Sequence, residues 1–94
     1  MDYIFQLKDK TSRIIYLSKE RWKHIRIDHP DVKEDEIKLT LKKPIRIIEK
    51  RNNKYFYFQY FKYKKPPAKF LRVIVKYLNG NGYIISSHFI KNIS

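Results

Sequence analysis

Seven of the nine residues from Tyr55 to Tyr63 are aromatic. Such a run fits a pleated, half-buried surface far better than a helix. Its surroundings also favour strands. Pro44 stops whatever precedes it, and Pro66 and Pro67 cannot sit inside a ladder. The chain after Pro44 is therefore expected to be β. Strands are expected over Ile45 to Glu49, Tyr55 to Tyr63, Phe70 to Leu78 and Tyr83 to Lys91. A turn falls at Arg51-Asn52-Asn53, a loop at Lys64 to Lys69, and a tight connection at Asn79-Gly80-Asn81-Gly82.

The part before Pro44 has a different rhythm. Tyr3 to Leu7 and Arg13 to Leu17 alternate as two short strands around a turn at Lys8 to Ser12. Ser18 is a natural N-cap for a helix running to about Asp28, with Trp22 and Ile25 on its apolar face. Asp28 lies one turn beyond His24 and is placed to hold it. Asp31, with Glu34 three residues on, predicts a capping box for a second helix whose apolar stripe is Ile37 and Leu41. With 94 residues and no linker or repeat, the chain reads as one domain over 1–94. The expected class is α+β, with short N-terminal strands and two helices packed on an antiparallel sheet of about four strands.

Loop length decides which faces of the last hairpin match. A two-residue loop of Gly80-Asn81 pairs Lys76 with Ile85 and sets cations against an apolar face. A three-residue loop of Gly80-Asn81-Gly82 pairs Lys76 with Ser86 and Ile74 with His88. The second is favoured, because it joins Arg72, Lys76, Ser86 and His88 in one cationic patch.

Charge is distributed unevenly. The net charge is +13, and every carboxylate lies at or before Glu49. The acid-free remainder points to a polyanion, nucleic acid first. A membrane surface fits less well, since the basic half reads as strands. An acidic protein is a further option. The apolar fraction of 43% is too high for a disordered chain. There is no cysteine, hence no disulfide or thiolate metal site. The opening Met1-Asp2-Tyr3-Ile4-Phe5-Gln6 lacks the look of a signal peptide, so a cytoplasmic chain is expected.

His24 and His29 flank the end of the first helix, just before Pro30. A helix C-terminus favours positive charge, and histidine is the side chain that exchanges a proton near neutrality. With His88 and the cations of the last hairpin, these residues suit RNA cleavage without a metal. One imidazole takes the 2′-hydroxyl proton, another protonates the leaving 5′-oxygen, and Lys76 or Arg72 stabilises the phosphorane. A metal centre at His24, Asp28 and His29 lacks a recognised spacing. No cofactor is implied. Among the tyrosines, Tyr55, Tyr57, Tyr60 and Tyr63 either stack on bases or fill the core, and core is favoured for most of them.

Arg21-Trp22-Lys23-His24-Ile25 followed by His29-Pro30-Asp31 resembles the opening motif of the phage-associated nuclease-fold domains called PBECR. These form part of the barnase–EndoU–colicin–RelE group. Ile14 to Ser18 resembles the strand leading into that motif. Val73-Ile74-Val75-Lys76 and Tyr83 to Phe89 resemble its later strands. The chain departs from the pattern at Asp31, where Glu is usual, and at His88, where Tyr is common. The resemblance implies a metal-independent ribonuclease fold, often used as a toxin, with His29, Lys76 and Ser86 at motif positions and His24 beside them.

The expectation is thus a metal-independent endoribonuclease that leaves a 2′,3′-cyclic phosphate, a toxin-like effector silenced by an acidic antitoxin being one form of it. Its catalytic candidates are His24, His29, Arg72, Lys76, Ser86 and His88. Its RNA-binding candidates are Arg21, Tyr60, Lys62, Tyr63, Lys64 and Lys65. The alternatives are a non-catalytic RNA- or ribosome-binding module of the same fold and a basic adaptor for an acidic protein.

Overall fold

The computed structural model describes residues 2–93. The elements run β1 (Tyr3–Lys8), β2 (Ile14–Ser18), α1 (Lys19–Asp28), α2 (Glu34–Lys42), β3 (Arg46–Glu49), β4 (Lys54–Tyr60), β5 (Phe70–Leu78) and β6 (Asn81–Ile90). The class is α+β. The sheet is larger than the sequence led us to expect: one six-stranded mixed sheet in the order β1-β2-β6-β5-β4-β3. The N-terminal hairpin is part of it. It joins through a short parallel pairing of β2 with β6, at Ile15–Gly82 and Tyr16–Tyr83.

Gly82 makes that junction possible. A Cβ there would lie 2.9 Å from Tyr77 Cε1, 2.9 Å from Val75 Cγ1 and 3.0 Å from Ile15 Cγ1. The glycine therefore serves close strand packing, not the turn. Val75 and Ile15 are β-branched and stiff, so Gly82→Ala is expected to cost roughly 1–3 kcal/mol by overpacking. A thermal melt of the variant checks this.

The last hairpin corrects both turns considered from the sequence. Its loop is Asn79-Gly80, with φ of 54° and 85°, as a type I′ turn requires. Lys76 stands opposite Tyr83, not Ser86 or Ile85. A register shift between Ile74 and Val75 then passes over Ile85, so that Ile74 meets Ser86 and Arg72 meets His88. The bulge restores the parity that the shorter turn would otherwise lose. Asn52 and Asn53, both at φ 60°, build the β3–β4 turn in the same way; asparagine tolerates this region better than most residues.

Two other boundaries move. β4 stops at Tyr60, so Phe61, Lys62 and Tyr63 leave the ladder. α2 starts later than Asp31: Lys33 is its N-cap, and Lys33 N–H donates to Glu36 Oε1 at 2.9 Å. The capping signature thus lies two residues downstream of the expected one. Ser18 caps α1 as expected, its hydroxyl accepting from Arg21 N–H at 3.0 Å.

Both helices lie against the first face of the sheet or its flank. Ile25, Ile37 and Leu41 enter one core with Ile15, Leu17, Tyr57, Leu71, Val73, Val75 and Ile84. α2 packs on β4 and β5, and α1 on β6, β2 and β1. The alternate residues of the strands form a second face. It carries Tyr16, Arg46, Lys54, Phe56, Arg72, Ile74, Lys76, Tyr83, Ser86 and His88. No helix in the described residues is long and apolar enough to cross a membrane.

Candidate active site

The path of α1 brings the ends of the chain together. β2 runs parallel to β6 for only two pairs, then turns directly into α1 at Ser18. From there α1 packs along β6. Ten helical residues advance about 15 Å, a distance that a strand covers in four to five residues. The helix end therefore arrives level with His88. His29 is the C-cap, its N–H donating to the Ile25 carbonyl at 2.7 Å. Its ring stacks on His88, with centroids 5.1 Å apart and planes 26° from parallel.

Arg72 completes the cluster from β5. Its Nη2 lies 2.6 Å from His88 Nε2, and its guanidinium covers the Phe56 ring at 5.0 Å. A guanidinium only donates, so His88 Nε2 accepts and the neutral ring carries its proton on Nδ1. Arg72 Nε and His88 Nδ1 are both buried and without a partner among the described residues. The cluster thus holds two donors in need of an acceptor, each costing about 1–3 kcal/mol while unmet. Burial, the Arg72 charge and the His29 ring all lower the His88 pKa below the usual histidine value. Burial also lowers Arg72.

This has a sign that can be checked. His88 stays neutral in the fold while an unfolded histidine gains a proton below about pH 6.5. Its contribution to stability is present above that pH and is lost as pH falls through it towards the lower folded pKa. Melts at pH 7.5 and 5.5 should show a smaller acid loss for His88→Asn than for the parent.

The other candidates fall into three places. Ser86 shares the second face with His88, opposite Ile74. Lys76 shares that face too but lies four residues from Arg72, about 13 Å along the strand. It stands opposite Lys54 and Tyr83, and is not beside the imidazoles. His24 is exposed on α1 and, with Ser18, Glu20, Arg21 and Asp28, lines a separate surface pocket of about 280 Å³. No hydrogen bond or ion pair joins His24 to Asp28 among the described contacts.

The RNA-binding candidates divide as well. Tyr60 is exposed and packs against Phe70. Lys62 and Lys65 are exposed in the loop after β4. Tyr63 and Lys64 instead clamp that loop to α2. The Tyr63 hydroxyl donates to buried Glu36, and Lys64 Nζ lies 3.1 Å from the same carboxylate. Lys64 also donates to the Asp31 carbonyl at 2.7 Å. Burial and Glu36 push the Tyr63 phenol up to about 12.

A polar cluster around Asp9 was not foreseen. Asp9 Oδ1 accepts from Thr11 N–H, the Thr11 hydroxyl and Arg13 N–H at 2.9, 2.7 and 3.0 Å. Oδ2 accepts from the Tyr57 hydroxyl, and from Tyr77 at 3.4 Å. Arg13 lies over the Tyr77 ring at 3.8 Å. Burial and Asp9 drive the Tyr57 phenol far up, and burial foremost takes Tyr77 to about 12. With every acceptor direction of Asp9 engaged, the cluster is a structural tie between the β1–β2 turn and the sheet. The Asp9-x-Thr11 spacing signals the turn; nothing local signals the tyrosines.

Among the described residues, no three His, Asp or Glu side chains converge as metal ligands. No family model, curated protein or solved structure matches the chain.

Proposed function

We propose that the protein is a metal-independent endoribonuclease acting at His29, His88 and Arg72. The observation that carries this reading is the stacked imidazole pair, 5.1 Å apart, with a guanidinium on one ring. Burial, the Arg72 charge and His29 all favour the neutral form of His88, which suits that ring to act as the base. One acid and one base side by side is what 2′-hydroxyl attack needs.

In the proposed reaction, the phosphodiester draws the Arg72 guanidinium, and His88 Nε2 becomes free to take the 2′-hydroxyl proton. The 2′-oxygen bonds to phosphorus, the bond from phosphorus to the 5′-oxygen breaks, and His29 in its charged form protonates that oxygen. Arg72 stabilises the dianionic phosphorane. Lys76, the other cation considered for this role, lies about 13 Å from Arg72 along the strand. The resemblance to the barnase–EndoU–colicin–RelE group supports the same chemistry.

Incubation with single-stranded RNA in excess EDTA tests the reading. The expected products end in a 2′,3′-cyclic phosphate, and DNA remains uncut because it lacks the nucleophile. RNA that is bound but left intact would replace the enzyme with a non-catalytic RNA-binding module.

A further inference from the structure

The second face of the sheet continues beyond the imidazoles. Tyr16 and Tyr83 are paired across β2 and β6, and their rings stack at 5.4 Å and 18°. Tyr3 adds a third ring, 4.8 Å from Tyr16. All three are partly exposed. Tyr83 faces Lys76 on β5, and Lys76 faces Lys54 on β4.

Two lysines directly opposite one another destabilise a sheet. Neither is ion-paired among the described residues. The paired strand positions of this face hold no carboxylate that could relieve them: Glu49, the nearest acid in sequence, pairs with Tyr55 on the other parity. An unrelieved cation pair beside an aromatic stack has the chemistry of a nucleotide site, phosphate on the ammonium groups and base on the ring.

We propose that Tyr83, backed by Tyr16 and Tyr3, forms a base-stacking subsite for single-stranded RNA, with Lys76 and Lys54 on the adjoining phosphate. This rests on the ribonuclease reading for the role of the bound strand, and it names the substrate class. The subsite lies about 13 Å from Arg72 along β5. A mononucleotide cannot reach both, whereas a short oligonucleotide can. A duplex keeps its bases stacked on one another and cannot offer one to Tyr83.

The test is fluorescence anisotropy with a labelled 2′-O-methyl RNA octamer, which binds but cannot be cut by 2′-hydroxyl attack. Tyr83→Leu should weaken binding about tenfold, as loss of one stacked base does, and Tyr83→Phe should restore it. Lys76→Gln should weaken binding and flatten its salt dependence by about one unit of slope. An octamer duplex should bind more weakly than the single strand. Unchanged affinity in Tyr83→Leu, or a duplex bound as tightly as the single strand, overturns the proposal. The two readings fail separately. Loss of binding in Tyr83→Leu with no cleavage of ordinary RNA leaves the subsite and removes the enzyme. Cleavage by the parent with octamer affinity indifferent to Tyr83 does the reverse.

Discussion

His88→Ala is expected to lower RNA cleavage about 10²–10⁴-fold, the usual contribution of a positioned acid or base. His29→Ala should do the same. The double variant should be little worse than either single one, because the two rings act as a unit. Arg72→Ala should slow cleavage as well, and Arg72→Lys should rescue little, since a lysine lacks the planar fork that presents two parallel donors to a phosphate. His24→Ala should leave the rate unchanged. Single-turnover cleavage of a labelled oligonucleotide measures all six. The parent should also show a bell-shaped pH profile, with its acidic limb below the usual histidine value because His88 is held down. Equal losses for His24 and His88 would contradict the assignment.

The second large effect concerns stability. Asp9→Ala removes a buried carboxylate that five donors share. It leaves the Tyr57 and Tyr77 hydroxyls with only each other, and Arg13 above them without its counter-charge. Hydrogen bonds to charged groups are each worth about 1.5–3 kcal/mol, and orphaned buried donors cost about 1–3 kcal/mol. A loss of at least about 3 kcal/mol is expected, which for a domain this small shifts the thermal midpoint by more than about 10 °C. Asp9→Asn should fall between the two, keeping an acceptor but no charge. The Tyr57→Phe variant should recover part of the loss in the Asp9→Ala background, since it deletes the orphaned hydroxyl.

Local chemistry was legible and long-range chemistry was not. Ser18 and Pro44 bounded the helices because capping and ring sterics act within a turn. Alternation in Phe70 to Leu78 puts Leu71, Val73 and Val75 on the buried side and Arg72 and Lys76 on the other for the same reason. By contrast, Gly82 looked like loop glycine until Ile15, from the other end of the chain, was seen packed against it. The tyrosines divide. Tyr57 is fully buried, in line with the core role favoured for most of the run from Tyr55, while the clustered rings Tyr3, Tyr16 and Tyr83 are scattered along the chain. Strand order brings them together, and strand order is not written in any one window. The histidines fared better. His29 ended its helix as expected and met His88, and of the two cations considered, Lys76 and Arg72, it is Arg72 that lies beside them.

The parallel pairing of β2 with β6 also orders events in time. His29 is synthesised well before His88, and they meet only after β6 has docked between β5 and the N-terminal hairpin. Until β6 has docked, the chain holds one imidazole without the other. Under the proposed function, activity appears only with the completed sheet, so a chain whose β6 has not yet docked cannot cut RNA.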